Sequence, residues 1–453
     1  MLPDAKPATP IADAYRDPAA KIIAAARGSD AAYKKLQFLT DHIGNRLSGS
    51  PQLDQAIAWA QKAMTDDGLD VHTEKVMVPH WVRGAEAGAI VAPIQRDMVV
   101  LGLGGTVATP KGGLTAPVVV VTSWDELKAK GDQVKGKIVL YDVEMPAYDP
   151  VENNTHYGDV VPFRWAGASQ AAKLGAVAVL VRSVTHHSLR TPHTGAMGYE
   201  DKVPKIPALA VTPEDATLLH RLADEGEVKV HVLTSGKTLP DAPSANVIAE
   251  LKGREKPDEI VVIGGHIDSW DVGQGAHDDG AGITTCMQAL ATIKALGLQP
   301  RRTIRVVLFT NEENGLRGGK GYADAHKDEL PKTVAALESD LGAFPPNGFQ
   351  ITAPEASRDR VIARVTDLAS LLGELDATHV IAREHGGADV EPMAPAGVVV
   401  GDLDVRAATY FDYHHTPADT LDKIDPKVLA DDVATVAVFA YVIADLPDRI
   451  DAP

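Results

Sequence analysis

The sequence contains a single cysteine, Cys286. One thiol excludes an intrachain disulfide framework and any thiolate-rich zinc site. Cys286 falls in a helical pattern with Ile283, Met287 and Leu290 and is expected to be a small core residue. Long apolar runs are also missing: none approaches the roughly 18 residues of a membrane-spanning helix, so no membrane insertion is expected. Positive charge is scarce. Lys and Arg total 44 against 62 Asp and Glu, a net charge of −18. Without a basic face, nucleic acid and anionic membranes are excluded as partners. The first residues, MLPDAKPATPIADAY, lack the cationic and apolar regions of a signal peptide. The chain is therefore expected to be cytoplasmic or a mature form with an added Met. Internal repeats and long low-complexity segments are absent.

With 453 residues, the chain exceeds what one hydrophobic core usually organises, so two domains, or one interrupted by another, are expected. Ser50-Pro51 supplies an N-cap followed by Pro at the first helical position, and the helix runs to about Asp66 before Gly68. Residues 69–78 then alternate like a strand. Between about 84 and 243 glycine and proline become frequent, and short strands recur at 117–121 (PVVVV), 137–141 (KIVLY), 176–181 and 206–211, without regular long helices. That texture predicts a β-rich domain inserted at 84–243, between residues 1–83 and 244–453 of an α/β catalytic domain. In the last part helices are expected over 281–296, over 358–372, and from Asp425-Pro426 to before Pro447.

Residues 259–265 (EIVVIGG), 305–310 (RVVLFT) and 333–337 (TVAAL) read as short buried strands. Just past them stand His266 and Asp268, Glu312 and Glu313, and Asp340. Ligands bind at that edge of open α/β sheets. With Asp278 and His415 the set offers two imidazoles and three carboxylates: His266, Asp278, Glu313, Asp340 and His415. Two cations about 3.5–4 Å apart need one bridging carboxylate and an N/O pair each. Asp268 is placed to accept the other ring N–H of His266. Glu312, beside Glu313, cannot share its direction and is free to act as general base. His415 is preferred over His414 because it directly precedes Thr416 and stands four residues before Asp419.

The segments His266-Ile-Asp268, Asp278-Asp279-Gly-Ala-Gly282, Asn311-Glu312-Glu313-Asn-Gly315, Glu338-Ser-Asp340 and His415-Thr-x-x-Asp419 resemble peptidase family M28. Within it the stretch 266–282 (HIDSWDVGQGAHDDGAG) is most similar to the carboxypeptidase Q group, and Asp41-His-Ile-Gly44-Asn-Arg46 also fits. The inserted segment resembles a protease-associated domain through 136–141, 171–176 and 206–210. The resemblance implies a mixed, mostly parallel sheet flanked by helices. It also implies two Zn2+ ions, the first on His266 and Asp340, the second on Glu313 and His415, with Asp278 bridging. Glu312 matches the family's general base, and the Asp278–Asp279 peptide is expected to be cis. The expected activity is exopeptidase hydrolysis of dipeptides or short peptides through a metal-bridging hydroxide. Rivals are an amidase acting on an N-acyl amino acid, a single-zinc glutaminyl cyclase-like acyltransferase, and a non-catalytic receptor-like binding module. The group also suggests a homodimer and a secreted or periplasmic location.

Substrate contacts are expected from Trp270, Arg317, Asp389 and His414, with the turn 386–389 and a loop to Asp402 lining the site. Trp270 offers area and one donor, and Arg317 could meet a substrate carboxylate. The stretch from Gly102 has neither the Lys nor the context of a nucleotide loop. Asn153-Asn-Thr155 is formally a glycosylation acceptor.

Overall fold

Two eight-stranded sheets organise the residues described by this computed structural model, 10–187 and 189–453. In chain order the strands are β1 (Asp70–Val82), β2 (Glu86–Ala92), β3 (Arg96–Met98), β4 (Val100–Gly102), β5 (Leu114–Val121), β6 (Ile138–Tyr141), β7 (Ala178–Arg182), β8 (Ala208–Val211) and β9 (Lys229–Thr234). There follow β10 (Lys237–Leu251), β11 (Lys256–His266), β12 (Arg302–Phe309), β13 (Thr333–Glu338), β14 (Pro346–Thr352), β15 (His379–Ala382) and β16 (Val399–Val405). One sheet runs β1-β10-β12-β11-β13-β16-β14-β15, the other β3-β2-β9-β5-β6-β7-β8-β4.

The centre of the first sheet, β12-β11-β13-β16, is parallel, while β1, β10 and β14 pair antiparallel towards its edges. Parallel strands are covered on both faces and therefore read as continuous apolar runs, which is how the three strands were recognisable. Every residue of β12 and β13 is buried. Val261 and Ile263 of β11 enter one core cluster, and the alternating Ile260 and Val262 enter the other. Each such side chain contributes roughly 1.5–3 kcal/mol by leaving water. The register sets Gly264 opposite both Val307 and Glu338, so β11, β12 and β13 end side by side.

Helices Gly282–Ala295 and Pro426–Asp445 pack over one face of this sheet. Pro426–Asp445 is predominantly apolar and nearly wholly buried from Leu429 onward, as an internal helix is, with Asp432 an acid inside it. It starts where Asp425 Oδ1 accepts the N–H of Lys427 at 2.8 Å. The helix Pro51–Asp66 begins with Ser50 Oγ accepting the N–H of Leu53 at 3.2 Å. The helix expected over 358–372 ends at Ala369 and tightens into the 3₁₀ segment Ser370–Leu375.

Two features depart from the sequence reading. The segment holding the second sheet carries the helices Tyr157–Lys173 and Pro213–Glu225, and its strands β5-β6-β7-β8 run parallel. Tyr157–Lys173 hid because small residues and an internal Pro162 blur its period. Asp402, expected in a loop, lies within β16 (VVGDLDV), where glycine and two acids interrupt the apolar pattern.

Candidate metal centre

Adjacent strand ends carry three of the expected ligands. His266 closes β11, Glu313 follows β12 and Asp340 follows β13. Asp278 sits in the kinked, non-helical stretch of Ala276–Ala281 that leads into the helix Gly282–Ala295, and the Asp278–Asp279 peptide is cis. His415 follows the short helix Tyr410–Tyr413. Two turns hold residues in the left-handed region, Asn311 at φ +65° and His415 at φ +61°. Asparagine and histidine both enter this region more readily than most side chains.

The other four side chains gather around Asp278. His266 Nε2 lies 3.2 Å from Asp278 Oδ1 and 3.1 Å from Asp340 Oδ1. His415 Nε2 lies 3.2 Å from Asp278 Oδ2 and 3.1 Å from Glu313 Oε2. Asp278 thus turns Oδ1 to His266 and Oδ2 to His415, with His414 Nε2 farther from Oδ2 at 3.8 Å. Asp278 Oδ2 is buried and makes no hydrogen bond among the described residues. His266 Nε2 and Asp340 Oδ1 stand within hydrogen-bond distance of each other, whereas an orphaned carboxylate oxygen among imidazole and carboxylate ligands fits a shared cation. Asp279 forms a rival trio with His266 and Asp340. Its oxygens are engaged elsewhere, accepting the N–H groups of His266 and Gly282, each at 3.0 Å. Gly265 and Gly282 make room for it: a Cβ on either would lie 2.2 Å from an Asp279 oxygen.

Neighbouring groups fix this arrangement. The Asp268 backbone carbonyl, at 3.0 Å, is the nearest acceptor to His266 Nδ1, whereas the Asp268 carboxylate stands 3.7 Å away. That carboxylate instead accepts the Glu312 N–H at 3.0 Å and the Ser48 hydroxyl at 3.3 Å, which corrects its expected role. It is drawn to the two nearer donors. Asp419 accepts the N–H of His277 at 2.7 Å and of Asp278 at 3.2 Å. Arg46, wholly buried, donates to the carbonyls of Ile267, Gln274 and Gly275 and ties down the loop between ligands. On the other ligand, His415 Nδ1 lies 3.3 Å from the carbonyl of Thr194, whose own N–H donates to the His415 carbonyl at 3.0 Å.

Charge is crowded here. Burial, together with neighbouring acids, pushes the carboxyls of Glu312, Glu313 and Asp340 above their ordinary range. Burial likewise takes Asp389 and Asp402 up to about 8 and Asp419 to about 7. Burial opposes charge on His266, but Asp340, Asp268 and Asp278 outweigh it and hold its pKa well above the usual value. Burial keeps His415 below it. So many buried acids with so few buried bases suit divalent cations as counter-charge.

A cavity of ≈ 570 Å³ opens over the ligands, lined by Glu312, Tyr157, Arg164, Lys320, Tyr410 and His414 among others. Of the four residues expected to contact substrate, His414 lines this space, stacking on His415 with ring centroids 3.5 Å apart. The other three do not line it. Trp270 is buried beneath His415, its backbone N–H donating to Glu313 Oε1 at 3.0 Å. Arg317 turns away to Asp241, at 2.6 Å, drawn by that exposed carboxylate. Asp389 is fully buried and accepts the N–H of Gly319 at 3.1 Å, leaving Ala388 on the cavity wall. Sequence reasoning missed Tyr157, Arg164 and Thr194. They stand more than 200 residues from His415 in the chain, and only the docking of the second sheet brings them near.

The profile of Peptidase family M28 matches residues 246–440. The chain is 40% identical to carboxypeptidase Q of Mus musculus over 96% of its own length and 91% of the relative's. The crystal structure of a peptidase M28 precursor from Shewanella amazonensis SB2B superposes with a TM-score of 0.91, at 39% identity, covering 97% of this chain and 99% of that one. A zinc aminopeptidase from Bacillus subtilis shares the fold at TM-score 0.65 and 20% identity, over 91% and 94% of the two chains. The chain belongs to peptidase family M28.

Proposed function

We propose that this M28 metallo-exopeptidase holds two zinc ions and hydrolyses dipeptides or short peptides. The observation that carries the reading is the division of Asp278, Oδ1 towards His266 and Oδ2 towards His415. His266 and Asp340 would hold one ion, Glu313 and His415 the other, and Asp278 both. When bound, such a pair lowers the pKa of water and polarises a scissile carbonyl.

The remaining work falls to the chain's own residues. Glu312 lines the cavity, outside either ligand trio, and Asp268 pins its backbone N–H at 3.0 Å. A carboxylate with a raised pKa suits proton transfer near neutrality. Glu312 takes a proton from the attacking water and delivers it to the leaving amine. Asp268 is a positioning residue: it sets Glu312 through the backbone, and its carbonyl orients His266.

The test is Glu312→Gln. Zinc content should match wild type while kcat falls by about 10²–10⁴-fold. Near-wild-type turnover at wild-type zinc would remove Glu312 from its role.

A further inference from the structure

The segment carrying the second sheet joins the rest of the chain through two short crossings, from β1 into β2 and from β9 into β10. Arg83 stands in the first, its side chain 13% exposed. A guanidinium has five N–H donors in a fixed fork, and all five of Arg83 are engaged. Nε and one Nη grip both oxygens of Asp271, at 2.8 and 2.7 Å, as a bidentate pair. The same Nη donates to Thr194 Oγ1 at 3.2 Å, and the other Nη to the Gly102 carbonyl at 2.6 Å and to Glu86 at 3.1 Å. These partners lie on two sides. Asp271 belongs to the loop between His266 and Asp278, whereas Glu86, Gly102 and Thr194 belong to the segment. Thr194 is itself held, its hydroxyl donating to the Gly102 carbonyl at 2.8 Å, and it backs His415 through both backbone groups. One guanidinium therefore reaches from the loop between ligands to the residue behind His415.

We infer that Arg83 is a positioning residue that couples docking of this segment to zinc occupancy at Glu313 and His415. With Arg83 in place the segment is fixed on Asp271, and the Thr194 carbonyl stays where it orients the His415 ring. Coupling of this kind is reciprocal: zinc at that position tightens the docking by the same factor by which docking tightens zinc. This role rests on the proposed two-zinc reading, although the contacts of Arg83 do not. Lysine is no substitute, because a point charge with three donors cannot hold the fork to Asp271 and reach Gly102 and Thr194 together. The His266 position lies outside the coupling, since the nearest acceptor to its Nδ1 is the carbonyl of Asp268, two residues away.

The test compares the full chain as wild type, Arg83→Gln, Arg83→Lys and Asp271→Asn. Zinc is titrated into metal-free protein isotopically labelled at histidine, so that NMR follows His266 and His415 separately. Hydrogen exchange of the backbone around Thr194 is measured with and without zinc. In wild type, zinc should slow that exchange. Arg83→Gln should weaken the His415 position by about 10- to 100-fold, leave the His266 position unchanged and remove most of the zinc-dependent protection at Thr194. Arg83→Lys should recover little of this. Asp271→Asn, which keeps the side-chain shape, should act in the same direction more mildly, and it carries the test if Arg83→Gln does not fold. Unchanged zinc affinity at His415 in a less stable Arg83→Gln would reduce Arg83 to a structural tie and overturn the inference. Equal weakening of both positions would overturn it too, as would zinc without effect on exchange at Thr194 in wild type. A single zinc in wild type would defeat the two-zinc reading; the coupling would then stand if that zinc follows Arg83 at His415 and fall if it does not. No zinc bound at all would defeat both.

Discussion

The two halves of the proposed centre are built differently. The His266 half belongs to the main sheet: His266 ends β11, Asp340 follows β13, and the Asp268 carbonyl that orients His266 is two residues away. The His415 half rests on a loop. His415 takes a left-handed backbone and faces the carbonyl of Thr194 and the guanidinium of Arg164, both from the segment carrying the second sheet. Their electrostatics diverge as well, with acids raising the pKa of His266 and burial lowering that of His415. One half is thus set by strand register, the other by docking of a separate layer. Residues that orient a ligand from behind typically govern metal affinity by 10- to 100-fold. The second segment therefore supports the proposed metal centre, through the contact of Thr194 with His415.

The largest effect should come from the residue common to both halves. Asp278→Asn removes the shared anion and should abolish zinc retention at both positions, together with turnover, in elemental analysis after dialysis. Retention of one tight zinc would show that one half stands without the bridge. A selective effect is expected from Gly195→Ala. Gly195 has φ +138°, and an added Cβ would lie 2.4 Å from Arg164 Cζ, displacing the strand of contacts behind His415. Zinc titration should then show the position on Glu313 and His415 loosened by about 10- to 100-fold with the other unchanged. Equal weakening of both would erase the distinction between the halves.

The smallest effect lies outside both. Asp432 is buried in helix Pro426–Asp445, with neither carboxylate oxygen hydrogen-bonded among the described residues, and burial raises its pKa well above the ordinary value. A raised folded-state pKa favours the protonated form. Its contribution is present below the unfolded carboxylate range and is lost as pH rises through the folded value. Asp432→Asn should therefore gain about 1–3 kcal/mol near neutral pH, fading in acid, in denaturant unfolding with zinc held constant. Zinc occupancy should not move, and a shift would tie this helix to the centre.

Much of the His266 half was legible in the sequence because its ligands directly follow strands that announce themselves as apolar runs. Glu313 and Asp340 were legible for the same reason, and Asp278 and His415 through short motifs. The supporting contacts were not. Asp268 was read as holding His266 because of its spacing, yet its carboxylate turns to Glu312 and Ser48. Trp270 and Arg317 stand close to ligands in the sequence, but side-chain direction depends on packing: Trp270 fills space below His415 and Arg317 meets Asp241. Arg164 and Thr194 carry no local signal, since their significance lies in a contact between layers.

The central claim is that Asp278 joins two metal positions, one on each half. The direct test is a crystal structure of the zinc-loaded protein with anomalous scattering measured at the zinc edge. Two zinc peaks are expected, one bounded by His266, Asp340 and Asp278, the other by Glu313, His415 and Asp278. A single peak, or coordination through Asp279 in place of Asp278, would contradict the account.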